Sequence, residues 1–308
     1  MIPRTRAAWH GLTTTALVLA VCAVVAAFAF GALVRARAEL SPLTGRTRGE
    51  VTGVDQKVWT VDVSWVLSSG RRVAATVPLE APPPETGVAV LVAYDPANPS
   101  HAVIPGAALV AEADRASGEL LFVLVVMVLV AVISAWRAAT RVRLPRRHVE
   151  SVSMRRIRVQ KGLLARSWLE TERTPRRWIP VYFDPSLVVL ATPSPVRLYG
   201  DPWRDRLVAA EIAGTVLYPS GPVTKAEPRG RRVDNPSQVD DSVRSRAVTT
   251  RGAVRQTRAD AALVVPAPLV GLLWSYVDGG GFPSWLAATL ISAALALWLA
   301  ALRGSDPS

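Results

Sequence analysis

Three histidines, His10, His101 and His148, and a single cysteine, Cys22, are the side chains best suited to metal or nucleophilic chemistry. None has a second His or Cys at the spacing a zinc site requires. The histidines read as ordinary surface residues, and Cys22, inside an apolar run, reads as a buried and inert thiol. A hydrolase needs a nucleophile with an orienting base, and neither Gly-x-Ser-x-Gly nor His-Glu-x-x-His occurs. Lys161-Gly162, Gly221-Pro222 and Gly279-Gly280-Gly281 lack the glycine spacing of a phosphate-binding loop. Asp240-Asp241 is a carboxylate pair, yet Arg244 and Arg246 follow closely, the pattern of a solvated charge cluster. Tyr94 with Asp95 and Tyr182 with Asp184 are the remaining polar candidates, and each Asp precedes a proline and reads as a turn former. No catalytic, cofactor-binding or metal-ligating residue is expected, and the chain is expected not to be an enzyme.

Arginine is the residue type in excess. The chain carries 36 Lys and Arg against 24 Asp and Glu, a net charge of +12. Such a balance fits nucleic acid or an anionic membrane surface, and position decides between them. Residues 137–260 hold 25 basic against 12 acidic residues, whereas residues 35–119 hold 8 against 10. The uncharged stretch Leu120–Trp136 separates the two. Basic residues crowding one end of an apolar span mark its cytoplasmic side, so membrane lipid is the expected partner and nucleic acid is not. Anionic-lipid contact is expected at Arg137, Arg141, Arg143, Arg146 and Arg147. It is also expected at Arg251, Arg255 and Arg258, whose spacing of four and three gives one helix face.

The elements that would carry these residues follow from hydropathy. Half the residues are apolar. Four transmembrane helices are expected, at 11–34, 119–136, 261–277 and 282–302, with no ionisable residue in their interiors to mark an ion or proton path. Ala27-Phe28-Ala29 resembles a signal cleavage site, but the first apolar run of 24 residues exceeds the roughly 7–15 of a signal peptide's core, so a retained span is preferred. Pro266 and Pro268 would kink the third span. Ala288, Ser292, Ala296 and Ala300, four apart, offer a small-residue face for helix packing.

The segments between spans divide by pattern. Residues 1–10 form a basic N-terminus. Val61, Val63 and Trp65 alternate with Thr60, Asp62 and Ser64, the period of a half-buried strand, and several such runs make 35–118 a small extracytoplasmic β-barrel or sandwich with a helical stalk. Residues 137–220 read as a basic, β-rich cytoplasmic domain. Strands are expected there at Ser167–Thr171, Leu187–Ala191 and Thr215–Tyr218 among others, with a helix only at Asp205–Ile212. Low apolar content and scattered Pro and Gly make 221–260 a flexible linker. Residues 278–281 are an outer turn and 303–308 a cytoplasmic tail. The fold class is membrane α plus β.

Val90, Val92, Tyr94, Asp95, Pro96, Asn98, Pro99 and Ser100, with Gly53 and Gly70 in earlier turns, give a small β-domain between two spans that ends in Tyr-Asp-Pro-x-Asn-Pro. In this it resembles an uncharacterised family of actinobacterial membrane proteins, over about the first 140 residues. The resemblance implies topology and a β-domain and no activity. The expected role is that of a multi-pass plasma-membrane protein with both termini cytoplasmic, acting as a non-enzymatic accessory or scaffold in the cell envelope with a membrane or envelope protein as partner. A receptor passing a ligand signal inward is the alternative from another class. An enzyme using Tyr94 and Asp95, or Tyr182 and Asp184, is a third.

Overall fold

The computed structural model describes residues 6–249 and 253–308. The chain forms two compact units, Cys22–Val126 and Met1–Val21 with Met127–Ser308. Two continuous helices of 35 residues each, α1 (Arg6–Leu40) and α2 (Ala108–Val142), contribute to both. On α1 the residues Val18, Cys22, Val25, Ala29, Leu33 and Ala36 are buried, at steps of three and four that place them on one face. Its other faces expose Val24, Phe28, Phe30 and Val34, and α2 likewise exposes Leu121, Leu124, Val128 and Val132.

The unit Cys22–Val126 is built on five antiparallel strands: β1 (Gly45–Asp55), β2 (Thr60–Val66), β3 (Arg72–Pro78), β4 (Ala89–Tyr94) and β5 (Ala102–Val103). Their order is β3-β2-β1-β4-β5. The two ends of this sheet approach each other where Leu79 bridges Ala107 and Glu80 N donates to Gly106 O (3.0 Å), so the sheet nearly closes. The period of two on β2 has its physical meaning here: Val61, Val63 and Trp65 are at most 2% exposed. They share the core with Val51, Val77, Val92 and Ile104.

The second unit holds β6 (Val149–Lys161), β7 (Leu164–Thr171), β8 (Trp178–Val181), β9 (Ser194–Tyr199), β10 (Ala209–Ile212), β11 (Thr215–Leu217) and β12 (Arg231–Asp234). The order is β11-β10-β9-β6-β7-β8, and β12 pairs with β6 beyond the reach of β9. The chain leaving β11 returns to β8, with Tyr182 N donating to Tyr218 O (3.0 Å) and Ser220 N to Pro180 O (2.8 Å). This sheet too is almost a ring, closed over Met154, Leu169, Ile179, Leu187, Val196 and Leu198.

Two local expectations are corrected. Asp205–Ile212 is not helical, because Val208, Ala209 and Ala210 are fully buried and Ala213-Gly214, both at positive φ, turn β10 tightly into β11. Leu187–Ala191 is not a strand: Asp184 Oδ1 accepts from Ser186 N (2.9 Å) and caps a single 3-10 turn at Pro185–Leu187. Residues 221–260, expected as a flexible linker with a helical face only at its end, carry β12 and α3 (Asp241–Thr249) as well as a helix there, α4 (Ala253–Ala261). Polar bonds order this stretch together with a small apolar cluster in which Val243 and Ala247 pack with Phe183 and Val188. Asp240 Oδ1 accepts from Val243 N (2.9 Å) at the start of α3, and Arg232 pairs with Glu170, Glu227 and Asp234.

Among the described residues three helices are long and apolar enough to cross a membrane: α1, α2 and α6 (Gly281–Arg303). The expectation of four spans is corrected by α5 (Ala267–Asp278), whose 12 residues reach ~18 Å against a hydrocarbon core of ~30 Å. Prolines are the cause. Residues 262–266 run as successive turns, and the helix starts only after Pro266, with Pro268 in its first turn, where a missing N–H is tolerated. α5 and α6 form a tight hairpin. Gly271 permits it, since a Cβ there would lie 2.1 Å from Thr289 Oγ1 and 2.7 Å from Trp285 O.

Candidate functional site

The end of α6 leads into a buried, extensively hydrogen-bonded polar cluster of the second unit. Gly304 takes the left-handed conformation (φ 74°), and any Cβ at this position would lie 2.8 Å from Ser220 Cβ. Beyond it Asp306 N donates to Ala165 O (2.9 Å), so the tail lies against β7 as a short added strand. The Asp306 carboxylate is fully buried. Its Oδ2 accepts from Arg156 Nη2 (2.8 Å) and Ser167 Oγ (2.6 Å), and its Oδ1 accepts from Ser308 N (2.9 Å) and Ser308 Oγ (2.6 Å). Arg156 also donates to Asn235 Oδ1 (2.7 Å), and the Asn235 amide donates to Leu187 O (2.8 Å) and Leu190 O (2.9 Å). Burial alone would push the Asp306 carboxyl up. The Arg156 charge and the bonds from Ser167 and Ser308 outweigh it and hold the carboxyl below the usual carboxylate range.

A second buried carboxylate lies beside the first. Asp260, at the end of α4, is 1% exposed. It accepts from Ser305 Oγ (2.5 Å) and Gln256 Nε2 (3.1 Å), and Gln256 in turn accepts from Arg6 Nη2 (3.4 Å). His10 Nε2 lies 3.3 Å from Asp260 Oδ2, without the alignment of a hydrogen bond. His10 was expected on the surface; it lines this cluster instead, with 27% of its side chain exposed. Its neighbourhood could not be read locally, because Asp260 is 250 positions further along the chain.

Further bonds attach helix ends to the β-sheet of the same unit. Arg137 Nη2 donates to Ser220 O (2.5 Å) and Arg141 Nε to Pro219 O (2.7 Å), both from the last turns of α2. Arg166 Nε donates to Arg303 O (2.8 Å) and Tyr182 Oη to Leu302 O (3.3 Å), gripping the end of α6. The Arg6 guanidinium stacks over the Phe183 ring, 5.1 Å from its centroid. Burial, then the charges of Arg303 and Arg137, push the Arg166 guanidinium down to about 10, so it stays charged at neutral pH. What this arrangement does chemically is ion pairing and donation to backbone carbonyls, from the end of α2 and to the end of α6: it is a clamp.

The expected lipid-contact residues separate into three groups. Arg137 and Arg141 are committed to carbonyls as above, and Arg147 pairs with Asp205 (3.1 Å) and donates to Leu207 O (3.2 Å). Arg143, Arg146, Arg255 and Arg258 are exposed. Arg251 lies outside the described residues. On α6, Ala288, Ser292 and Ala296 are half-buried, and the buried positions are Ile291, Ala294, Trp298, Ala300 and Ala301. Trp298 Nε1 donates to Ser134 Oγ (3.1 Å), and Ser134 is 3.1 Å from Thr15 Oγ1, so α1, α2 and α6 meet at these three side chains.

The polar pairs considered as catalytic hold turns. Asp95 Oδ1 accepts from Ala97 N (2.8 Å), Ser100 Oγ donates to Asn98 Oδ1 (2.7 Å), and the Tyr94 ring lies 6.1 Å from that of Trp65. Asp184 caps its 3-10 turn. An open hollow of about 500 Å³ is lined by Ser186, Leu190, Pro195, Arg197, Glu211 and Ile212. Glu211 accepts there from Arg197 Nη1 (3.2 Å) and from the Tyr199 hydroxyl, a bond that, with some burial, pushes the Tyr199 phenol up. Among the described residues no group of three or more His, Cys, Asp or Glu is placed to hold a metal ion. No protein-family model, curated protein or solved structure matches the chain.

Proposed function

We propose that the chain is an integral protein of the plasma membrane that works without catalysis, as an accessory or scaffold of the cell envelope. The reading rests first on α1, α2 and α6, whose length and uncovered apolar faces call for a hydrocarbon surround. Charge orients it. The basic unit, with 25 Lys and Arg in residues 137–260, lies on the cytoplasmic side together with both termini, and the five-stranded barrel lies outside. The hairpin α5–α6 enters and leaves on the cytoplasmic face.

The observation that carries the scaffold reading is the clamp. Arg6 and His10 of α1, Arg137 and Arg141 of α2, and Arg303 with Asp306 at the end of α6 are all tied into one unit. A β-domain held at the ends of three helices presents a fixed surface to a partner, which a scaffold requires. Photo-crosslinking in cells from Ser69 and from Ser237, both exposed, tests it: the same few envelope proteins should be captured from each. Turnover of a substrate by the purified protein, abolished by substitution of a named polar residue, would overturn it.

A receptor is the second reading, favoured by the continuity of α1 and α2 through both units. It requires that a ligand of the barrel change solvent exposure in the basic unit. Hydrogen exchange in that unit, with and without cell-wall fragments, separates the two readings.

A further inference from the structure

We propose that α4 and the C-terminal tail form a site for the phosphodiester of an anionic phospholipid, an inference that rests on the membrane reading above. An open hollow of about 560 Å³ is lined by Thr249, Val254, Arg255, Arg258, Ala259 and Pro307. Arg255 and Arg258 stand three apart on α4 and therefore share a face. Arg255 is held in place, its Nε donating to Pro307 O (2.9 Å) and its Nη1 to Thr249 Oγ1 (3.3 Å), and neither bond uses its Nη2. Arg258 makes no hydrogen bond or ion pair among the described residues. Two guanidinium groups thus line one hollow, and no described Asp or Glu lines it with them. The nearest acids in the chain are already committed, Asp260 to Ser305 and Gln256, and Asp306 to Arg156 and Ser167. Two neighbouring cations without a counter-charge repel each other, and a bound anion relieves that repulsion. Paired planar donors suit phosphate oxygens.

The hollow's other walls name the source of the phosphate. Val254, Ala259 and Pro307 are apolar, and Val254 is 67% exposed. α4 runs on through the turns at 262–266 into α5, which leave Val265 74%, Leu269 66% and Leu273 69% exposed. The segment next in the chain thus offers apolar surface suited to acyl chains, which free phosphate does not use. Of the expected lipid-contact arginines, this places the specific site at Arg255 and Arg258. It leaves Arg143 and Arg146 as unselective surface charge, and Arg137 and Arg141 as internal donors.

The full chain, purified in detergent and reconstituted in nanodiscs of phosphatidylcholine with a minor share of phosphatidylglycerol, tests this by native mass spectrometry of the lipid retained on release. Wild type should keep about one phosphatidylglycerol in preference to phosphatidylcholine, and R255Q/R258Q should lose that preference by about tenfold or more. R143Q/R146Q, which removes equal charge, should keep it. Because Arg255 also braces the tail, R258Q alone provides the variant that leaves the fold untouched, and it should weaken retention in the same direction. Equal loss in both double variants would overturn the site in favour of diffuse attraction. Saturation by inorganic phosphate at the same affinity would overturn the lipid assignment. Extraction of the protein from membranes by alkaline carbonate would refute the membrane reading itself, whereas retention without lipid preference refutes only the site.

Discussion

Arg156 and Asp306, 150 residues apart, meet at 2.8 Å with the guanidinium 5% and the carboxylate 0% exposed. A pair so enclosed is worth little relative to a matched apolar pair but is costly to break, because the surviving charge has no solvent. D306A should therefore destabilise the second unit by about 3–5 kcal/mol, read as a fall in its thermal midpoint in detergent. R156M/D306L should recover much of the loss. A D306A protein within about 1 kcal/mol of wild type, where most surface substitutions fall, would show that the pair holds nothing.

The same carboxyl makes stability depend on acid. Folded Asp306 is held below its ordinary 3.8, so the folded state keeps its charge where the unfolded state takes up a proton. Its contribution is complete above about pH 5, and is lost as pH falls through the unfolded value and then the folded one. Urea midpoints of wild type and D306N should accordingly converge as pH is lowered from 7 towards 3. A gap that stays constant over that range would refute the assignment.

Gly271 tests the hairpin. A methyl at this position meets Thr289 Oγ1 at 2.1 Å and the Trp285 carbonyl at 2.7 Å, one of them immovable backbone. G271A should cost about 1–3 kcal/mol through overpacking. G118A in α2, where nothing lies within 4 Å, should be neutral or stabilising by up to about 1 kcal/mol. Equal effects of the two would mean that α5 and α6 do not approach so closely.

Asp95 and Asp184 each hold a turn through one side-chain acceptor. D95A and D184A should each lower stability by about 0.5–2 kcal/mol, the worth of a cap, with no other change. A variant of unaltered stability that fails to complement a deletion strain would instead mark that residue as a site.

How much of this could be read from the sequence depends on how local each cause is. Val61, Val63 and Trp65 declare a strand by alternation alone, and the long uncharged runs declare α1, α2 and α6, because hydropathy acts over neighbouring residues. The third expected span failed on something equally local: Pro266 and Pro268 were visible, but two prolines so close shift the start of the helix and do not simply bend it. Asp205–Ile212 carries helix-forming residues, and burial of Ala209 and Ala210 between β9 and β11 overrides them. The clamp was not legible. Ser-Asp-Pro-Ser reads as a solvated tail, and the partner of its Asp is one arginine among many, with no feature of spacing to single it out. His10 and Asp260 were hidden for the same reason, their meeting being a product of the fold.

Asp306 meets Arg156 and Ser167, made long before it, and Ser308, made just after it. Translation passes Arg156, all seven strands of the second unit, α5 and α6 before this aspartate is added. Until then the Arg156–Asp306 ion pair cannot form, however complete the strands. The tail's bonds to β6 and β7 therefore come last in chain order, after α6 itself.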